Sequence, residues 1–190
     1  MFDHFNILAP IYERVIKAKL PERLVELVDI NSVERMLDAG GGTGRVSQFF
    51  SDQVEQIVIA DSSFQMLAKS KSKNGLYPVN SNSEILPFPD ESFDRIIMVD
   101  ALHHVYDQSK TARELWRVIK PGGKIVIEEP DIHNRSVKLI ALAEKLALMR
   151  SHFLSGQEIQ ALFSSFPAVI EIHQEDHFVW VVVDKKQSKI

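Results

Sequence analysis

The residues best suited to chemistry sit in one short run, Asp38-Ala39-Gly40-Gly41-Gly42-Thr43-Gly44. Four glycines fall within five positions, just after an acid that closes the apolar lead Val33, Met36 and Leu37. Glycine accepts φ > 0 and lets backbone approach a ligand with no Cβ in the way. Val46, Phe49 and Phe50 then resume a helical spacing, so the stretch reads as buried strand, tight turn, and a helix ending near Ser51-Asp52. That order opens a nucleotide-binding α/β domain, with the helix N–H groups and positive dipole end aimed at the ligand. The strongest register is Asp38-x-Gly40-x-Gly42-x-Gly44. A shifted register, Ala39-x-Gly41-x-x-Gly44, half satisfies the dinucleotide pattern, and a ligand-free glycine turn is the plainer alternative. A mononucleotide P-loop fails because no Lys follows Gly44.

Two further places carry candidate groups. Asp61 stands 23 positions after Asp38, and a ribose-binding acid is expected about 20 residues beyond such a loop. A carboxylate accepts from both ribose hydroxyls and favours a nearby cation. Asp61 or Ser62 would serve equally as the cap of a helix running to Ser70. Met66, one turn into that helix, is either an adenine contact or a core residue. Asp100-Ala101-Leu102-His103-His104 follows an apolar run. His103 and His104 are the leading candidates for a general base, then Glu129, Asp131 and His133. Each of them has a structural alternative as a hydrogen-bond partner or pocket wall.

The elements that must position these groups are legible in outline. Ile11, Val15 and Ala18, then Leu24, Leu27 and Val28, keep helical spacing, which predicts two helices with a break near Leu20. Five strands are expected near 33–38, 56–60, 76–79, 95–99 and 124–128. The continuous apolar character of 56–60 suits a parallel sheet covered on both faces. Helices are expected up to Ser70 and over 109–119, with Pro121-Gly122-Gly123 stopping the second and turning it into the fifth strand. Residues 132–154 carry an apolar helical face at Leu139, Leu142, Leu146, Met149 and Phe153. It reads as a core cover or as a lid over an apolar acceptor. Ser155 with Glu158 forms a capping-box pattern ahead of a short helix to Phe163. Two closing strands are expected at 169–173 and 177–183. Ligands of an open α/β sheet bind beyond the strand carboxyl ends, near the switch between strands one and four.

At these residues a family resemblance appears. Asp38–Gly44 resembles the first motif of the class I S-adenosylmethionine-dependent methyltransferases. Ile57-Val58-Ile59-Ala60-Asp61-Ser62-Ser63 is similar to that family's second strand with its ribose-binding acid. Leu86-Pro87-Phe88-Pro89-Asp90-Glu91-Ser92-Phe93-Asp94 resembles its approach to the fourth strand, and Leu115–Gly123 its lead into the fifth. The four pieces stand in family order over roughly residues 33 to 130. The subgroup they resemble includes the ubiquinone- and menaquinone-pathway C-methyltransferases. The resemblance implies a Rossmann-like, doubly wound α/β fold. Its seven-stranded sheet would be mostly parallel with an antiparallel C-terminal strand, and helices would cover both faces. One methyltransferase domain would span 1–190, with a helical cap (1–29), a cofactor-binding core (33–130), a helical segment that could act as a lid (131–163) and closing strands (169–183).

The cofactor implied is S-adenosyl-L-methionine, leaving as S-adenosyl-L-homocysteine. The implied binding set is Tyr12, Asp38, Ala39, Gly40, Gly41, Gly42, Gly44, Asp61, Ser62, Met66, Asn82, Ser83 and Asp100. Asn82 departs from the family, which usually has an Asp there to accept from the adenine amino group. Ser81 and Asn82 also suit a simple turn. The partner implied is a small-molecule methyl acceptor, with the apolar 132–154 face pointing to an apolar or aromatic one. A nicotinamide-dependent oxidoreductase and a non-catalytic ligand- or partner-binding domain of the same fold are the rival readings.

Composition narrows the field. The 190 residues carry a net charge of −4, so no basic field recruits nucleic acid. There is no Cys, which removes thiolate metal sites and the cysteine nucleophile of base C5 methylation. The [DNS]-P-P-[YFW] signature of amino-methylating nucleic-acid enzymes is missing after the fourth strand. No spaced His and carboxylate triad suggests a metal. No apolar run approaches the ~20 residues that span a bilayer, and the N-terminus lacks signal-peptide character. A soluble cytoplasmic protein is expected.

Overall fold

The computed structural model describes residues 22–30, 34–134 and 151–187. Its strands form one sheet of seven, in the order β3-β2-β1-β4-β5-β7-β6. These are β1 (Arg35–Ala39), β2 (Gln56–Asp61), β3 (Leu76–Asn80), β4 (Phe93–Val99), β5 (Ile119–Pro130), β6 (Ala168–Glu175) and β7 (Phe178–Lys185). The first five run parallel. Leu37 lies opposite Val58 of β2 on one side and Ile96 of β4 on the other. Only β7 runs against its neighbours, pairing antiparallel with β5 and β6. The chain leaves β1 toward β2 and β3, then crosses to β4 on the opposite side. The switch point therefore falls between β1 and β4, as expected.

In the central strands side chains alternate across the sheet and are buried on both faces. Met36, Ile57, Ile59, Ile97 and Val126 pack against helix α1 (Glu22–Val28) and helix α2 (Phe64–Ser70) through Leu24, Val28 and Leu67. Leu37, Val58, Ile96, Ile125 and Ile127 pack against helix α3 (Gln108–Val118) and helix α4 (Gly156–Leu162). On α3, Thr111, Ala112, Leu115 and Val118 form the buried stripe, the spacing of one helix face. Asp107 caps α3 by accepting from Lys110 N at 2.8 Å. The Ser155–Glu158 capping box forms in full at the start of α4.

Three local expectations are corrected. The glycine turn leads into a four-residue 3-10 helix, Ser47–Phe50, not into an α-helix ending at 51–52. Its bonds are mostly of the tight kind, Phe49 N to Val46 O at 3.1 Å and Gln53 N to Phe50 O at 2.9 Å, and such runs stay short. No long helix dipole therefore backs the turn. Ser63, not Asp61 or Ser62, caps α2 by accepting from Met66 N. Pro121-Gly122-Gly123 does not separate helix from strand. Helix α3 already ends at Val118, and β5 runs through these residues with a register irregularity between Phe93 and Arg95. A Cβ at Gly123 would meet Ile119 Cδ1 at 2.8 Å and Asp94 O at 2.9 Å, so the close approach of backbone explains that glycine. The first expected helix, with Tyr12, and the apolar face Leu139–Met149 lie outside the described residues.

Candidate active site

The glycine turn folds back over the tips of β1 and β2. Gly40 (φ 76°) donates to Ala60 O at 2.7 Å, and Gly44 (φ 69°) donates to Gly41 O at 2.8 Å. A Cβ on Gly44 would collide with Ile59 and Leu76 side chains at 2.7 Å; one on Gly41 would collide with the Asp38 carboxyl at 2.5 Å. Packing thus dictates both. Gly42 (φ 53°) differs. An added Cβ would stand 3.7 Å from Asp61 Oδ2 and 3.9 Å from Met66 Cβ, ordinary contact distances. The glycine leaves a hollow bounded by a carboxylate and a methionine. Asp61 ties the hollow together, accepting Gly42 N at 2.9 Å through Oδ2 and Ser63 N at 2.7 Å through Oδ1.

Asp38 lies beneath the turn, 2% exposed, and its Oδ2 accepts the Ser47 hydroxyl. Burial pushes its carboxyl up to about 7; the Ser47 hydrogen bond opposes that rise, and the Asp61 charge adds to it. Ser47 is the partner that the motif does not advertise. Ser62 is exposed, and its carbonyl accepts from Asn80 Nδ2 at 3.0 Å. Asn82 is exposed as well and closes a turn, its Oδ1 accepting Glu84 N at 2.9 Å, while Ser83 is buried. Asp100 takes a left-handed conformation (φ 54°) and its N–H donates to Glu128 O at 2.9 Å. Glu128 is buried and accepts the Trp180 indole N–H at 2.7 Å. Burial raises its carboxyl, the indole bond opposes the rise, and the Asp100 charge adds to it.

The two histidines occupy a 3-10 turn, Leu102–His104, at the carboxyl end of β4. His103 is 2% exposed, and its Nδ1 lies 2.5 Å from Glu129 Oε2. Its ring stacks on Phe153 at 4.2 Å and touches the His104 ring at 3.9 Å. Burial and the neighbouring His103 hold His104 down to about 3. A second strand of chain braces the turn. His152 N donates to His103 O at 2.7 Å, and the Gln108 amide bridges Leu102 O (3.1 Å) and His152 O (2.7 Å). Asp131 and His133 belong to a neighbouring turn, where Asp131 accepts His133 N at 2.9 Å and the Gln174 amide. Among the described residues no three His, Asp or Glu side chains gather as a metal site.

The tips of β1 and β4 therefore share one rim. A Cβ on Gly40 would meet Ala101 Cβ at 2.6 Å, so the glycine turn and the histidine turn touch. Comparison with known proteins puts a family on this geometry. Residues 37–127 match the model of the methyltransferase domain. Over these residues the chain is similar to the methyltransferases. The similarity brings with it S-adenosylmethionine as the cofactor.

Among similar proteins, the ubiquinone/menaquinone biosynthesis C-methyltransferase UbiE of Pectobacterium carotovorum is 34% identical over 115 residues, covering 55% of this chain and 46% of that protein. The Vibrio parahaemolyticus UbiE is 40% identical over 106 residues, covering 50% of this chain and 41% of that protein. The matched stretches thus span under half the length of these curated relatives. Among solved structures, an S-adenosylmethionine-dependent methyltransferase of Thermotoga maritima aligns with a TM-score of 0.78 at 22% identity, covering 96% of this chain and 98% of that one. One from Aquifex aeolicus aligns at 0.72 and 17% identity, with 96% and 98% coverage. These two neighbours share the methyltransferase fold. The comparisons lend nothing to the oxidoreductase or binding-only readings. Among the described residues no helix is long and apolar enough to cross a membrane.

Proposed function

We infer that this chain transfers a methyl group to a carbon of a small, oxygen-bearing aromatic acceptor. The observation that carries the reading is the Gly42–Asp61–Met66 cluster, where a partly exposed carboxylate accepts the Gly42 N–H of the glycine turn at 2.9 Å. Asp61 would hold the ribose hydroxyls, and Met66 would lie against the adenine. Asp38 would order the glycine turn and pair with the amino-acid ammonium. Ala39, Gly40, Gly41 and Gly44 would shape the backbone around it, with Asn82 and Ser83 at the adenine edge and Asp100 beside the methionyl end. Tyr12 and Ser62 remain proposed contacts from the family likeness alone.

S-adenosylmethionine, when bound, supplies an electrophilic sulfonium methyl. The chain's own task is to align acceptor and methyl in a dry site, which can lower the barrier by ~7–11 kcal/mol. The tips of β1, β2, β4 and β5 present Asp38, Asp61, Asp100 and Glu128, a set that favours a cationic ligand. His103, His104 and Phe153 would wall the acceptor side. The quinone-pathway C-methyltransferases among the relatives support a ring carbon of a quinol or phenol as the acceptor atom. We propose a single domain located in the cytoplasm, and no role for nucleic acid.

Calorimetry with S-adenosylhomocysteine tests the cofactor site. One site with a Kd near or below about 100 μM is expected. Binding of NAD(H) in its place would overturn the reading. Transfer of labelled methyl to reduced 1,4-naphthoquinone, set against aliphatic amines and catechol, tests the acceptor class.

A further inference from the structure

We propose that Glu84 is a positioning residue for methyl transfer. Its carboxylate ties the loop proposed for the adenine edge to the segment that carries His103 and His104, so a bound cofactor and the wall facing the acceptor are held in one register. The inference deepens the methyl-transfer reading above and rests on it. Glu84 lies in the loop between β3 and β4 and is buried. Its Oε1 accepts two consecutive backbone N–H groups, Tyr106 at 2.7 Å and Asp107 at 3.0 Å. Its own N–H donates to Asn82 Oδ1 at 2.9 Å, and Ile85 N donates to Asn82 O at 3.0 Å. The turn at Asn82–Ser83 therefore sets where the carboxylate stands, and the carboxylate sets where residues 106 and 107 stand.

The segment from Ala101 to Asp107 hangs between two such acids. At its start Glu129 Oε1 accepts Ala101 N at 3.0 Å and Leu102 N at 2.7 Å. At its end Glu84 does the same from a loop 22 and 23 residues upstream. Within the segment the backbone makes only a short 3-10 turn, with His104 N donating to Ala101 O at 3.1 Å and Val105 N to Leu102 O at 3.3 Å. Such a turn is a weak guide for the chain that follows it. The carboxylates at the two ends supply the acceptors that the backbone N–H groups need.

Other tasks for a buried glutamate are already met at this place. Helix α3 has its cap in Asp107, which accepts Lys110 N at 2.8 Å. The N–H groups that Glu84 takes belong to that cap residue and the one before it. The loop has its own seat on α3. Leu86 N donates to Glu114 Oε2 at 2.8 Å, and the Arg117 guanidinium donates to Leu86 O at 3.0 Å and Phe88 O at 2.7 Å. What the Glu84 bonds add is a fixed spacing between the loop and the histidine segment. A ligand that orders the Asn82–Ser83 turn thereby orders the acceptor wall. Alignment is where this matters, since a displacement of about 1 Å can cost up to ~100-fold in rate. A charge near the start of α3 also suits the helix dipole, and the test separates that role from reach.

The test contrasts two variants. Glu84→Gln keeps the length of the side chain and an oxygen for the two N–H groups but loses the charge. Glu84→Asp keeps the charge and falls one methylene short. With reach as the cause, kcat for methyl transfer to reduced 1,4-naphthoquinone should stay within about threefold of the parent in E84Q and fall about 30-fold in E84D. The Kd of S-adenosylhomocysteine should stay within about threefold in both. Full activity in E84D, or a fall in E84Q as large as in E84D, would overturn the proposal. Amide hydrogen exchange in the parent covers the case where E84D folds poorly. Bound S-adenosylhomocysteine should slow exchange at Tyr106 and Asp107 by about fivefold or more, and unchanged exchange there would overturn the link. If the parent binds no S-adenosylhomocysteine, the function reading falls and takes the link with it. If it binds the ligand but leaves naphthoquinone unmethylated, the acceptor class alone changes and the exchange result decides the link.

Discussion

The two halves of the rim are built by different means. The half proposed for the cofactor, at the tips of β1 and β2, is made of neighbours in sequence: four glycines, the acid before them, and Asp61 reaching 19 residues back to Gly42. Its bonds run largely between backbone and carboxylate, and Asp61 stays partly open to solvent. The half proposed for the acceptor, at the tips of β4 and β5, is made of residues far apart. Glu129 reaches back 26 residues to His103, and Gln108 reaches forward 44 to His152. There His103 and Glu129 are buried and bound to one another. An open, locally encoded half is positioned to exchange its contents, whereas a closed, long-range half is positioned to keep its geometry.

The sharpest way to break that comparison is to delete one acid from each half. Glu129→Ala strands three buried donors, Ala101 N, Leu102 N and His103 Nδ1. The expected loss of stability is about 3 kcal/mol, since each unsatisfied buried group costs ~1–3 kcal/mol and the turn relaxes in part. Asp61→Ala leaves its donors to water. It should change stability by under about 1 kcal/mol yet weaken S-adenosylhomocysteine by about tenfold or more. Urea unfolding beside calorimetry reads both. Similar stability losses in the two variants would erase the distinction between the halves.

That contrast also explains what the sequence could and could not reveal. The strand–glycine–strand grammar of residues 36–61 is contiguous, so the first two strands and the places of Asp38 and Asp61 at their ends are legible from spacing, while the seven-stranded sheet follows from the family resemblance. The His103–Glu129 pairing is not legible. Both residues stood out as candidate bases, but only the parallel pairing of Val99 with Glu128 brings their turns side by side. Ser47 was missed because a serine inside an expected helix carries no signal of a buried carboxyl partner. The same stretch misled on the helix itself. Apolar periodicity over a few residues does not separate an α-helix from a 3-10 turn, and the glycine preceding it weakens helix nucleation. The closing pair β6 and β7 is legible as two apolar runs, while the antiparallel direction of the C-terminal strand follows from the family resemblance.

Asp38 allows the comparison to be sharpened by pH. Its carboxyl stands at about 7 when folded, against 3.8 for the free side chain. Between about pH 4 and 7 the folded state holds more protons than the unfolded state. Stability therefore falls as pH rises through that window and levels off above it, with a slope of up to about 1.4 kcal/mol per pH unit. Asp38→Asn should flatten this slope. Ligand affinity should run the other way. A cationic amino group pairs with the ionised form, so S-adenosylhomocysteine should bind more tightly as pH rises from 6 to 8, and the variant should lose that rise. A wild-type affinity flat across this range would place the ammonium elsewhere and leave Asp38 as a brace for the turn.

The smallest expected change lies at the edge between the halves. Family likeness puts an acid where this chain has Asn82, and the structure gives Asn82 a second task, since its Oδ1 accepts Glu84 N at 2.9 Å and closes the turn. An Asp at this place keeps that acceptor and adds a charge. Two effects then compete. The charged oxygen strengthens a bond to an adenine amino group, worth less than about 1 kcal/mol at an exposed position. The existing acids at the neighbouring strand tips oppose another negative charge. Because Asn82 is exposed, solvent damps the repulsion more than it damps a direct hydrogen bond. Asn82→Asp should therefore tighten S-adenosylhomocysteine by about threefold, with stability unchanged within about 0.5 kcal/mol. A weaker complex would mean that the adenine edge is read by backbone at Ser81–Ser83, with residue 82 serving the turn alone.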